Sequence, residues 1–512
     1  MTPVDTAPAP CAPFVPSATP PGATTLSFSP TTLSFSPTPQ SFTATPQSFT
    51  ATSPPPNTAL PSPNTVPPGS EAGLKPLLPV VGADLQVPVV SGQQVPYVQL
   101  DYAASAPCLS AVAAHLNGVL PFYASVHRGA GYTSQVSTTL YETARAKVAA
   151  FVGARPDDVV VFSRNTTDAL TLLAHCVPTG AVPTAGVVHL DIEHHANLLP
   201  WRHRASGKTR CVLAGTTQRA TLVSLRAELA ARPAALVAVT GASNVTGELL
   251  PIADIVEIAH AAGARVVVDA AQLAPHRRID LAASGVDYLA LSGHKLYAPF
   301  GAGVLVGRRD WLDAASAYLP GGGAARDVGL THTDWAPAPA RHEGGTPNVL
   351  GAVALGFACD TLAGLPDGAL ETHEETLRQR LTERLASIPG VRLHRIWRDS
   401  PSSIGVVAFS VGEFHPGLVA AYVSAEHGIG IRHGRFCAHP LVSRLGAPEG
   451  ALRASFGVGS TVADVDRLAD AVSALVSAGT RWSYSDSSGA WAPTPDPRPY
   501  PSWAQPDAAA VP

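Results

Sequence analysis

A series of short, largely apolar runs at residues 159–162, 187–190, 236–240, 266–268, 288–291 and 304–306 sets the terms on which this chain can fold. They show no polar alternation, so each reads as a strand covered on both faces. The stretches between them carry helical signals. Leu140, Ala144, Val148, Phe151 and Val152 fall on one face of a helix, and Asn165-Thr166-Thr167-Asp168 is a good helix start. Residues 251–262, closed by Gly263, read as a helix that feeds the strand ending at Asp269. Strands alternating with helices predict an α/β fold built on a mainly parallel sheet. In such sheets ligands bind at the carboxyl ends of the strands.

The two ends of the chain read differently. The 49 prolines of this 512-residue chain cluster there. Residues 1–90 are low in complexity: Thr25-Leu26-Ser27-Phe28-Ser29-Pro30 recurs as Thr32-Leu33-Ser34-Phe35-Ser36-Pro37. Such sequence cannot bury enough apolar surface to offset its chain entropy, so a disordered tail is predicted, either a tether for a partner or a plain extension. Residues 481–512, with Ala492-Pro493-Thr494-Pro495-Asp496-Pro497, read as a second tail. Between the tails, residues 91–370 are expected to form a large α/β domain, with 91–110 also packing on its neighbour. Residues 371–480 would form a smaller α+β domain whose first helix carries Leu377, Leu381 and Leu385.

Charge and cysteine content narrow the partners. A net charge of −4 without a Lys/Arg-rich block argues against nucleic acid, and no uncharged apolar run approaches membrane-spanning length. The start Met-Thr-Pro-Val-Asp has neither a basic nor an apolar signal region. The six cysteines, at 11, 108, 176, 211, 359 and 437, form no CxxC pair. That pattern suits reduced thiols in the cytoplasm and no metal site.

Four lysines are present, Lys75, Lys147, Lys208 and Lys295, and only Lys295 follows an apolar strand, in Ser292-Gly293-His294-Lys295. Upstream, Val266-Val267-Val268-Asp269 ends another strand in a carboxylate. A lysine amine and an acid at matching strand ends are what pyridoxal phosphate (PLP) chemistry needs. The amine condenses with the aldehyde, and the carboxylate keeps the pyridine nitrogen protonated so that the ring withdraws electrons.

From about Val98 to Leu475 the chain resembles class V, fold-type I PLP enzymes, and within them the cysteine desulfurases and selenocysteine lyases. The segments that carry the likeness stand in order: Leu100-Asp101-Tyr102-Ala103-Ala104-Ser105, Val126-His127-Arg128-Gly129, Glu193-His194-His195-Ala196-Asn197, Ser243-Asn244-Val245-Thr246-Gly247, Asp269-Ala270-Ala271-Gln272, Ser292-Gly293-His294-Lys295-Leu296-Tyr297 and Gly345-Thr346-Pro347-Asn348. The resemblance implies a PLP-dependent transferase fold with a seven-stranded sheet. It gives Thr166, Thr167, Ser292 and His294 to the phosphate, the first two at a helix N-terminus. Thr346 would reach the phosphate from a second subunit, which implies a homodimer. His194 would stack on the ring, Gln272 and Asn244 would meet the ring oxygen and the substrate side, and Asp269 would pair with the ring nitrogen.

The same resemblance makes Arg453, in Leu452-Arg453-Ala454-Ser455-Phe456, the clamp for a substrate carboxylate. It makes Cys437 the residue that takes sulfur from L-cysteine as a persulfide, to be passed to an acceptor protein. Arg432, His433, Arg435 and His439 flank Cys437, and cations near a thiol lower its pKa. A small cysteine packed in a cleft is the other reading of Cys437. Three departures touch the substrate loops: His433-Gly434-Arg435-Phe436 precedes the cysteine, Ala298-Pro299-Phe300-Gly301 replaces the usual Gly-Pro-Thr-Gly, and Gly459-Ser460 replaces a Tyr-Asn pair. Phe300 would narrow or reshape the pocket. A desulfurase-like lyase is therefore expected. A class V aminotransferase, epimerase or lyase for another small amino acid stays open, as does a scaffold working through its tails.

Overall fold

The apolar runs become strands of one seven-stranded sheet in the structure, a computed structural model that describes residues 74–178, 186–204, 209–487 and 490–504. In chain order the strands are β1 (Val159–Ser163), β2 (Val187–Leu190), β3 (Thr209–Val212), β4 (Leu236–Thr240), β5 (Arg265–Asp269), β6 (Tyr288–Ser292) and β7 (Gly303–Gly307). Their spatial order is β1-β7-β6-β5-β4-β2-β3. Pairings from β3 across to β6 are parallel, while β7 runs antiparallel to both β6 and β1. Successive residues feed opposite faces. Val266 and Val268 enter one hydrophobic core and Val267 enters another, which is why these strands are apolar without alternation. Each such buried side chain contributes about 1.5–3 kcal/mol.

The sequence reading missed β3. Thr209-Arg210-Cys211-Val212 is an edge strand with only Val212 buried, so its composition carries no core signal. The helix predicted over 251–262 runs Ile252–Ala261, with Gly263 just beyond it at φ +73°. A helix at Tyr132–Phe151 buries Tyr141, Ala144 and Val148.

A further core lies around a four-stranded antiparallel sheet: β8 (Val391–Leu393), β9 (Val406–Val411), β10 (Arg432–Gly434) and β11 (Ala451–Ser455), in the order β8-β9-β11-β10. Leu377, Leu381 and Leu385 of the helix Ala369–Ala386 are fully buried there against Phe409, Leu452 and Leu468. Val98 and Leu100 belong to this core too, and Val98–Gln99 pairs in parallel with Ile429–Gly430. All described residues fall within one compact unit. Among them no helix is long and apolar enough to cross a membrane.

Both expected tail boundaries need correction. Residues 25–51, with their repeats, lie outside the described residues, but residues packed on the fold occur well before residue 90. Leu77 and Leu78 donate backbone N–H groups to the Val458 carbonyl at 2.7 and 3.2 Å, and Val80, Val89 and Val90 are buried. A few aliphatic side chains inside proline-rich sequence are enough to anchor it. At the other end, Tyr484–Ser487 pairs with Ala490–Pro493. Glu426 accepts the backbone N–H groups of Arg481 and Trp482 and the Tyr484 hydroxyl, and Trp491 stacks on His415. Aromatic residues hold this segment where composition alone suggested a tail.

Candidate active site

Parallel strands deliver their carboxyl ends to one edge of the sheet, and a cavity of about 360 Å³ opens there. Asp269, at the end of β5, and Lys295, in the tight turn Gly293–Lys295 after β6, both line it. Asp269 is 3% exposed, and its Oδ1 accepts the Ala271 N–H at 3.0 Å. Burial pushes its carboxyl up, against the pull of the Ala271 N–H and the Lys295 ammonium. Burial likewise takes the Lys295 amine down to about 8; Asp269 opposes this, while Arg453 adds to it.

That value gives a testable pH dependence. A lowered amine pKa means that the neutral, nucleophilic form appears as pH rises through about 8. Acylation of Lys295 by an amine-selective reagent, followed by peptide mass spectrometry on cofactor-free protein, should rise with an inflection near pH 8. Reactivity that climbs only in the range of an exposed lysine, roughly 10.4, would contradict the burial argument.

A second wall is the start of the helix Thr166–Cys176, capped by Asn165, whose side chain accepts the Asp168 N–H. The Ser292 hydroxyl accepts the Thr166 N–H at 2.7 Å and lies 2.7 Å from the Thr166 hydroxyl. Thr167 and His294 line the same region. Burial and the neighbouring lysine take the His294 imidazole down to about 4, so it is neutral. The helix can sit this close because Gly303 has no side chain: a Cβ there would lie 2.5 Å from the Asn165 Cα.

His194 borders the cavity with its Nδ1 accepting the Ala196 N–H at 3.0 Å, which leaves the ring proton on Nε2. Burial first, then Lys295, takes its pKa down to about 3. Beneath it the fully buried Glu193 accepts from Asn197 Nδ2 at 2.7 Å, and Asn197 accepts from Trp201 Nε1 at 3.1 Å. Burial raises the Glu193 carboxyl well above its ordinary value. No role for these hydrogen bonds was read from the sequence, although Glu193 and Asn197 stand in the Glu193-His194-His195-Ala196-Asn197 segment and Trp201 follows four residues on.

Arg453, Asn244, Phe436 and Cys437 close the remaining side. Arg453 Nη2 bonds Asp101 Oδ1 at 2.9 Å, and Nη1 bonds the Asn244 carbonyl at 2.8 Å. Asp101 is a second residue that the sequence left without a role. Phe436 and Cys437 both have φ +51°, a left-handed conformation that bulky residues rarely adopt. Asn244 Nδ2 donates to the Phe436 carbonyl at 2.7 Å, and the His195 N–H donates to the Cys437 carbonyl at 2.8 Å.

Some expectations need correction here. Of the four basic residues flanking Cys437, only Arg432 lines the cavity. The Arg435 guanidinium turns to the Pro448 carbonyl, and His439 packs edge-on against His195 with ring centres 4.5 Å apart. Phe300 does not narrow this cavity. It is 61% exposed at φ +77°, and Asn348 Nδ2 holds its carbonyl in the outward turn. Thr346, expected to serve a second subunit, is not among the residues lining this chain's own cavity and borders a groove of about 560 Å³ with His127 and Arg128. At Gly459, a Cβ would lie 2.8 Å from both the Tyr102 hydroxyl and Val80 Cγ2, so the aromatic ring usual in the family has no room.

The residues fit PLP on grounds internal to the chain. Gln272 Oε1 and Arg453 Nε are buried with no hydrogen-bond partner, and both side chains line the cavity. Asp269 is the only carboxylate among the lining residues, and a ring cation would offset its burial. Hydroxyls at a helix N-terminus make the opposite end suited to a phosphate. Among the described residues no group of three or more His, Cys, Asp or Glu could hold a metal.

The comparisons agree with this geometry. The aminotransferase class-V family profile matches residues 98–468. A cysteine desulfurase from Dickeya dadantii (strain 3937) is 39% identical over 385 residues, 74% of this chain and 91% of its own. A probable cysteine desulfurase from Halalkalibacterium halodurans is 34% identical over 400 residues, 77% of this chain and 95% of its own. Among solved structures, the cysteine desulfurase CsdA of Escherichia coli aligns with a TM-score of 0.66 at 33% identity, covering 73% of this chain and 94% of that one. The apo cysteine desulfurase of Thermococcus onnurineus NA1 aligns at 0.69 and 32%, covering 74% and 94%.

Proposed function

Because the chain belongs to the aminotransferase class V family, we propose that it is a PLP-dependent cysteine desulfurase, converting L-cysteine to L-alanine and taking the sulfur onto Cys437 as a persulfide. The observation that carries this reading is that Lys295, Asp269, Arg453 and Cys437 line one cavity.

PLP, when bound, supplies an aldehyde for the amine and an electron-withdrawing ring. The chain's residues supply the rest. Arg453 would bind the substrate carboxylate through a guanidinium edge and so orient Cα. Lys295, with its amine near pKa 8, would take the Cα proton and return it. The Cys437 thiolate would attack the substrate sulfur: the Cβ–S bond breaks, a sulfur–sulfur bond forms, and alanine leaves after protonation. Asp269 would hold the ring nitrogen protonated and His194 would stack over the ring, with Gln272 and Asn244 at the ring oxygen and substrate side. Thr166, Thr167, Ser292 and His294 would hold the phosphate.

Thr346, set in a groove apart from the cavity, is supported as a phosphate ligand for a second copy, which makes the working form a homodimer. The reading treats residues 91–370 and 371–480 as a large and a small domain of a cytoplasmic enzyme, and it includes an acceptor protein for the sulfur.

A second reading, a class V aminotransferase, epimerase or lyase for another small amino acid, gains from the turn of Arg435 away from Cys437. The test is release of alanine and sulfide from L-cysteine by PLP-loaded protein with a reductant, beside transfer of the amino group to a 2-oxo acid. Equal amounts of alanine and sulfide are expected. Amino transfer without sulfide would replace the first reading by the second.

A further inference from the structure

The loop before Cys437 departs from the family pattern at Phe436, and the structure gives that residue a specific neighbour. We propose that Phe436 is the positioning residue for Arg453, so that its ring sets how strongly the cavity selects a ligand carrying an α-carboxylate; this rests on the carboxylate role given to Arg453 above.

The guanidinium is 3% exposed, and its Cζ lies over the Phe436 ring, 5.2 Å from the ring centre. Two in-plane contacts hold it, to Asp101 Oδ1 and to the Asn244 carbonyl, while Nε has no partner. In-plane contacts alone leave a planar group free to tilt about the line joining them. An aromatic face laid against it removes that freedom, and the attraction of cation and ring is strongest where water is excluded, as here. The edge with the unpaired Nε is thereby kept at a fixed angle to the cavity.

The ring is itself held. Phe436 is 7% exposed, and its carbonyl takes the Asn244 Nδ2 bond at 2.7 Å. Asn244 thus acts twice, with its carbonyl on the guanidinium and its amide on the residue that covers it. The left-handed backbone at Phe436 and Cys437 persists because the neighbouring contacts over-determine it. The carboxylate clamp and the cysteine loop are consequently one assembly.

The experiment compares PLP-loaded parent protein with Phe436→Leu, which keeps apolar bulk, and Phe436→Tyr, which keeps the aromatic face. L-Alanine and ethylamine differ only in the carboxylate, and their binding is read from the cofactor absorbance without turnover. Phe436→Leu should weaken L-alanine about tenfold or more while ethylamine stays within about twofold, and Phe436→Tyr should match the parent. KM for L-cysteine should rise with the same factor in Phe436→Leu, with kcat within about threefold. Equal weakening of both ligands, unchanged L-alanine binding, a tyrosine variant as weak as leucine, or a parent that does not favour L-alanine over ethylamine would each overturn the proposal. A protein inert to L-cysteine that still shows the selective loss of L-alanine would sink the desulfurase reading and leave this one standing.

Discussion

Lys295→Ala should lower alanine release from L-cysteine by about 10³-fold or more, since it removes both the amine that condenses with the cofactor and the base at Cα. The fold should be nearly indifferent to the change. No hydrogen bond from the amine is found among the described residues, and burial already opposes its charge. Its loss removes the burial penalty of the cation but also takes an opposing charge from Asp269 and Asp101, so Tm of the cofactor-free protein should fall only slightly. Turnover within tenfold of the parent, or a marked fall in Tm, would mean that Lys295 is a structural lysine. Activity and melting temperature together separate lost chemistry from lost structure.

Cys437→Ala should lower alanine and sulfide release by on the order of 10³-fold, with the PLP absorbance unchanged. Alanine is the right replacement because position 437 sits at φ +51°. Cysteine and alanine meet the same steric cost there, whereas glycine would relieve it and let the loop move. The Cys437 carbonyl keeps its bond from the His195 N–H in the variant, so the backbone stays pinned. A single turnover of the parent with sulfur-labelled L-cysteine and no reductant should leave label on the peptide containing Cys437. Alanine release that survives the substitution would move the sulfur chemistry elsewhere.

The elements legible in the sequence are those whose composition one requirement governs. Strands β4 to β7 are buried on both faces and could be apolar throughout, so they stood out. Lys295 and Asp269 stood out for the opposite reason, as ionisable groups at the ends of such strands. Where two requirements meet, the pattern blurs. β3 needs a polar outer edge and so looks like a loop. Leu77, Val80 and Trp491 anchor segments whose average composition is that of a tail. Side-chain direction was beyond reach as well: the arginines at 432 and 435 are close in sequence, yet the first lines the cavity and the second faces the Pro448 carbonyl. Phe300, read as a pocket residue, is turned out by a positive φ that no residue type announces.

The meeting of Gly459 with Tyr102 and Val80 couples distant parts of the chain. Space beside position 459 is filled by side chains from two distant parts of the sequence, one of them before the residues that match the family. A ring cannot be placed at 459 by one substitution unless both occupants give way. Nor can Val80 or Tyr102 shrink alone without opening a void where Gly459 offers nothing to fill it. The three sites are committed to one another, so that the stretch around Val80 and the far end of the family-matched region tolerate change only together.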